Sequence, residues 1–273
     1  MEQEFVELVP GELYRLGGKV ALDGRISWAP PTATGWECIN YYLLVNGDSA
    51  VLIDTGIALH AEAMAEKLAA VLAPGTHLSV YLTRMEADTV TGLGAVLSHA
   101  RVDTVWAGGT ANPFDYFDDL NSSEMMRSNY QAALRRLPGE TLSLGEDRML
   151  EVLTPPLRLL NTTWVYDPHT GTLFTSDIFG HTPTAAQDAQ PVLDEGSDQV
   201  SKEQIRAHLL TKFAYLDGAR TEKIIASLDA LFNERAVKRI APTQGCVLND
   251  PATVARHVGL LRSILQEVGS ASG

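Results

Sequence analysis

The chain has 273 residues, of which 45% are hydrophobic and 20% charged, and a formal net charge of −13. That length can bury a large core, and no apolar run approaches the roughly 20 residues needed to span a bilayer. The negative charge is spread along the chain, and Lys and Arg never run longer than the pair Arg135–Arg136. Nucleic acid and anionic membrane surfaces are therefore poor partners for it.

The N-terminal stretch "MEQEFVELVPGELYRLGG" is acidic and mixed, unlike a secretory signal. Strands are expected in "GELYRLGG" and "INYYLLVNGDSAVLIDTG". The second turns back at Asn46-Gly47-Asp48, a hairpin signal, and ends at Asp54-Thr55-Gly56. A helix follows with Met64, Leu68, Val71 and Leu72 on one face, stopping at Pro74-Gly75. The strand "HLSVYLT" leads into a polar loop, then Leu93 to Leu97 read as helix and "VDTVWAG" as a buried strand. Residues 111–139 read as an aromatic, acidic loop followed by a helix. Strands are expected at Thr141 to Leu144, Arg148 to Leu153, Thr163 to Tyr166 and Thr172 to Thr175. After a polar loop over 181–200 come helices at about 202–215 and 219–233, the latter with Ile224, Ile225, Leu228, Leu231 and Phe232 as its stripe. The strand "VKRIAPT" precedes a last helix carrying Val254, Val258, Leu261, Leu265 and Val268 on one face.

Strands in two groups with helices between them predict an α/β fold of two packed mixed sheets between helical layers. A single domain over residues 1–268 and a flexible tail at 269–273 are expected. Cys38 and Cys246 stand far apart with no metal-type spacing, so they are expected as two buried free thiols in a reducing cytosol.

The loop "YLTRMEADTVTGL", Tyr81 to Leu93, poses the functional question. Alternating polar residues just past a strand end point to one side, as ligands around a metal must. Yet one of them is Arg84, and no histidine stands in the loop.

Asn40-Tyr41 ahead of "VLIDTG", this loop, "LFTSDIFG" (Leu173 to Gly180) and "APTQG" (Ala241 to Gly245) come in an order that resembles the metallo-β-lactamase fold, a four-layer αββα sandwich. Within it the resemblance is closest to the oxygen-binding di-iron domain of flavodiiron proteins. That family's loop reads His-x-Glu-x-Asp-His, with Glu86 and Asp88 here at the Glu and Asp steps. Its "SDxFG" strand end matches Ser176 to Gly180, and its lead-in to the third ligand segment resembles "TPPLR". The flavodoxin domain that follows in flavodiiron proteins has no counterpart in this sequence.

The resemblance implies four histidines, a Glu, an Asp and a bridging Asp as ligands of two irons. Carried over by position, Glu86, Asp88 and Asp177 keep the carboxylates, while Arg84, Thr89, Arg158 and Gln244 stand where the histidines would be. A guanidinium has no lone pair for a metal and stays charged. The expectation is that Arg84 and Arg158 pair with Glu86 and Asp177 and replace the metal's charge. Asp88, Asp177 and Gln244 leave an oxygen-only set that suits one weakly bound Mg²⁺, Ca²⁺ or Mn²⁺ better than iron or zinc.

Asp54 is expected as a structural hydrogen-bonding acid. None of the seven histidines falls at a ligand position, and His181 is expected as a loop residue. Phe114, Tyr116 and Phe117 are candidates to roof a pocket or to make a packed or subunit contact. Three functions follow. The favoured one is a non-redox binding or sensory protein with a degenerate di-metal site, whose partner is a small molecule or another protein. A second is a metal-dependent hydrolase or oxidoreductase using the residual carboxylates. The third is a binder of an anionic small molecule through Arg84 and Arg158. A homodimer is implied by the resemblance alone.

Overall fold

A computed structural model describes residues 5–108, 112–113, 133–136, 139–158 and 161–270. The expected mixed α/β architecture is present, with two seven-stranded sheets and helices. The chain divides into two compact units, each gathered from separate segments. The first unit takes residues 1–18, 39–153 and 160–165, and the second takes 19–38, 154–159 and 166–273.

In the first unit, β1 (Val6–Val9) and β2 (Leu13–Arg15) form an antiparallel pair. A small sheet of β3 (Gly18–Ala21) and β4 (Trp36–Ile39) follows, lying mostly in the second unit. Back in the first unit, β5 (Tyr42–Asn46) and β6 (Ser49–Ile53) form the expected hairpin. Asn46 pairs with Ser49 around a Gly47-Asp48 turn in which Gly47 has φ 60°. Strand direction then changes. β7 (His77–Tyr81) and β8 (Val102–Ala107) run parallel to their neighbours, because α1 (Ala61–Val71) and the short α2 (Ala87–Val90) and α3 (Leu93–His99) make the crossovers.

The core of this unit gathers Leu43 and Leu52, Met64 and Leu68 of α1, Val80 and Leu82, and Val90, Leu93 and Val96. Parallel strands covered by helices bury most of their side chains, and β7 buries Leu78, Val80 and Tyr81.

Ala133–Arg136 forms β9, parallel to β8, where the sequence reading had a helix. A sheet edge can override the helical propensity of "ALRR" by offering a complete hydrogen-bond ladder. The rest of that expected helix, and Phe114, Tyr116 and Phe117, lie outside the described residues. β10 (Thr141–Leu144) and β11 (Arg148–Leu153) form an antiparallel hairpin at the expected boundaries. β12 is Trp164–Asp167.

In the second unit, β13 (Thr172–Ser176) pairs in parallel with β15 (Arg239–Pro242), and β15 is antiparallel to β16 (Val247–Leu248). β16 in turn pairs in parallel with β14 (Val192–Leu193). α4 (Lys202–Lys212) starts at a capping box in which Ser201 Oγ accepts from the Gln204 amide and Gln204 Oε1 accepts from the Ser201 amide. α5 (Glu222–Glu234) buries Leu228 and Leu231. α6 (Pro251–Ser270) runs two residues past the expected domain end. It buries Val254, Leu261, Leu265 and Val268 as expected, and His257 on the same face. Cys38 and Cys246 are buried free thiols.

Candidate functional site

In the first unit the loop after β7 is set up by Asp54. Its carboxylate accepts from the Thr83 amide at 2.8 Å and from Thr83 Oγ1 at 2.8 and 3.1 Å. Asp54 is therefore a structural acid, as the sequence indicated. Its φ of 59° is costly for a non-glycine residue and is held by these bonds. Gly92, behind the loop, has no room for a side chain, since a Cβ there would lie 2.0 Å from the Thr55 carbonyl oxygen.

So anchored, the loop folds around its own arginine. The Arg84 side chain is fully buried. Its Nε donates to Glu86 Oε2 at 2.9 Å, and its Nη2 pairs with Asp88 Oδ2, the i,i+4 partner. Asp88 is buried while Glu86 is about a third exposed, so Asp88 is the carboxylate that most needs the guanidinium. The Arg84–Glu86 pair is present as expected, and the Arg84–Asp88 pair was not expected.

Thr89 is also buried. Its Oγ1 donates within the loop to the carbonyl oxygens of Arg84 and Glu86 at 2.9 and 2.8 Å, and its own carbonyl accepts from the Thr55 amide and hydroxyl. Its hydroxyl is committed to closing the turn.

In the second unit, Asp177 sits in a turn after β13 between two residues with positive φ, Ser176 at 55° and Phe179 at 65°. Asp177 Oδ1 is buried without a hydrogen-bond partner. Gln244 is buried in the loop after β15, and Lys212 connects the two: its Nζ pairs with Gln244 Oε1 and donates to the Asp177 backbone oxygen at 3.3 Å. Arg158 is exposed, and its backbone oxygen accepts from the Tyr215 hydroxyl at 3.1 Å. Among the described residues its guanidinium forms no ion pair with Asp177.

Three features of this unit escaped the sequence reading. Glu37 is fully buried on β4 with both carboxyl oxygens lacking a hydrogen bond. Burial pushes its carboxyl up to about 8, against the pull of the Lys212 charge. The backbone amides of Gly245 and Cys38 pull the same way, although neither meets hydrogen-bond geometry. Lys212 itself is the second. A lone Glu inside the apolar strand "WECI" was a usable signal; a lysine at the end of a polar helix was not.

The third is a relay of buried side chains. His181 Nε2 and His257 Nδ1 lie 2.8 Å apart, and His257 Nε2 lies 2.9 Å from Asp198 Oδ2, which also pairs with Arg256 at 2.5 Å. Asp198 Oδ2 accepts from Arg256, so a neutral His257 facing it carries its proton on Nε2, and His181 then donates from its own Nε2. Burial holds both imidazoles below their ordinary range, His181 well below it, with His257, His208 and Lys212 adding to the effect of burial. His181 is thus a loop residue, as expected, and a buried one.

The donors do not fit the di-iron centre that the resemblance implies. Of the four residues carried over to its histidine positions, Arg84 and Arg158 bear guanidinium groups, the Thr89 hydroxyl is spent on the loop backbone, and the Gln244 oxygen holds an ammonium. Among the described residues no three His, Cys, Asp or Glu side chains are grouped to hold a metal ion.

A family model described as ODP family beta lactamase matches residues 38–216. Rubredoxin oxygen:oxidoreductase from Desulfovibrio gigas is similar in structure with a TM-score of 0.70 at 17% identity, covering 96% of this chain and 62% of that one. The flavodiiron protein from Giardia intestinalis gives 0.65 at 17% identity, covering 97% and 59%. A flavoprotein from Thermotoga maritima gives 0.67 at 18% identity, covering 93% and 59%. The chain spans less than two thirds of the length of each, and likeness at this identity is a likeness of fold. No curated protein matches the chain.

Proposed function

The chain belongs to the ODP beta-lactamase family, and we propose that within it this protein is a non-redox binding or sensory protein whose di-metal site is degenerate. The observation that carries the reading is the buried Arg84 guanidinium, paired with both Glu86 and Asp88. A fixed positive charge there neutralises carboxylates that would otherwise repel one another, and it takes the lone pairs a metal would need. The same pairing weighs against the anion-binding alternative at Arg84, because a guanidinium already holding two carboxylates has little left to offer an anionic ligand. Arg158, being exposed, keeps that alternative open on its own. A homodimer is part of the reading.

The test is metal content. Protein purified without chelator should hold well under one equivalent of iron, zinc or manganese per chain by mass spectrometry, and stoichiometric iron or zinc retained through gel filtration would overturn the reading. The converse variant returns histidine to Arg84, Thr89, Arg158 and Gln244 together. It should take up iron or zinc that the parent does not; a folded quadruple variant without metal would show these four positions wrongly assigned.

A further inference from the structure

Lys212 is the last residue of α4, where the unpaired helix carbonyls favour a cation. Around its Nζ stand groups from segments far apart in the sequence: Gln244 Oε1, the Asp177 backbone oxygen, and within electrostatic reach the buried Glu37 carboxyl. The chain at Gly180 closes in from another side. A Cβ there would lie 3.2 Å from Lys212 Nζ and 2.8 Å from the Gln244 backbone oxygen, so a side chain at 180 would press on the site.

The acceptors are all oxygens, which suits a compact ammonium with its three N–H directions. Glu37, fully buried and with neither carboxyl oxygen hydrogen-bonded, is a polar group without a use in the fold's own ladder. Such a group needs an explanation, and the Lys212 charge, which pulls its carboxyl down against burial, is the nearest one.

We propose that the second unit contains a primary-ammonium site which the protein fills with its own Lys212, with Gln244 and the Asp177 main chain as acceptors and Glu37 as the facing acid. This goes beyond the arginine cluster of the first unit, and its test adds no metal, so each reading can fail alone.

Truncating Lys212 empties the site without removing its walls. Lys212→Ala should melt a few degrees below the parent, the scale expected when a half-buried lysine loses its hydrogen bonds in a chain of this size. Ethylammonium chloride should raise the melting temperature of Lys212→Ala saturably, beyond the effect of sodium chloride at the same ionic strength. Tetramethylammonium, which has no N–H, should not, and the parent should show no ethylammonium-specific shift. A variant as stable as the parent, or one that responds equally to ethylammonium and sodium, overturns the proposal. Should Lys212→Ala fail to fold, Lys212→Ala/Glu37→Gln removes the facing acid as well and should melt cooperatively; if that double variant also fails to fold, the proposal is wrong.

Discussion

The two units handle buried charge in opposite ways. In the first, two carboxylates paired with Arg84 lie within four residues of it: Glu86 two along and Asp88 one helical turn along, with Thr89 closing the loop on its own backbone. In the second, the groups around Lys212 come from positions 37, 177 and 244, and Glu37 is left without a hydrogen bond. A local set is ordered at little extra entropic cost once the loop exists, whereas a set drawn from distant segments depends on the whole unit being folded. The first arrangement should therefore be sensitive to its own residues, and the second to pH and to remote packing.

The largest effect should come from Arg84→Ala. Losing one partner of a buried ion pair costs about 3–5 kcal/mol, against about 0–1 kcal/mol for an exposed pair. Arg101→Ala is the control, because Arg101 is 79% exposed and only 3.6 Å from Asp103 at its closest. Adding Asp88→Asn to Arg84→Ala should recover part of the loss, since it removes the stranded buried charge. Urea titration measures all three. A cost for Arg84→Ala no larger than for Arg101→Ala would mean the cluster is not buried as described, and the contrast between the units would collapse.

A smaller effect, with a distinct pH signature, belongs to Glu37. Its folded pKa of about 8 stands above the usual carboxylate value, so the folded protein binds more protons than the unfolded chain between those values. Its contribution is fully present below the unfolded pKa and is lost as pH rises through the folded one. From pH 6.5 to 8 the parent should lose on the order of 1–2 kcal/mol that Glu37→Gln does not lose. Denaturant midpoints at the two pH values decide this; parallel losses in both proteins would assign the dependence elsewhere.

The smallest effect should come from Arg158→Ala, within about 0.5 kcal/mol of the parent, as for an ordinary exposed position. Loss on the scale of Arg84→Ala would show that Arg158 pairs with Asp177 as the sequence led us to expect and would make the two units alike.

Much of this molecule follows from short-range rules. The hairpin at Gly47-Asp48, the strands 141–144 and 148–153 and the apolar faces of α1, α5 and α6 follow from periodicity and turn chemistry. Arg84, Glu86 and Asp88 were legible from their spacing as a charged loop, although Asp88 was expected with Asp177 and Gln244, and the order of landmarks was enough to resemble the family. Tertiary structure alone decided the rest. It made "ALRR" a strand, because a sheet edge satisfied its backbone, and it chose Asp88 over Glu86 as the buried partner of Arg84, because only burial ranks two nearby carboxylates. It also joined Lys212 to Gln244 and His181 to His257, pairs 32 and 76 residues apart. No local pattern marks such pairs, since a side chain's charge partner is set by where the folded backbone carries it.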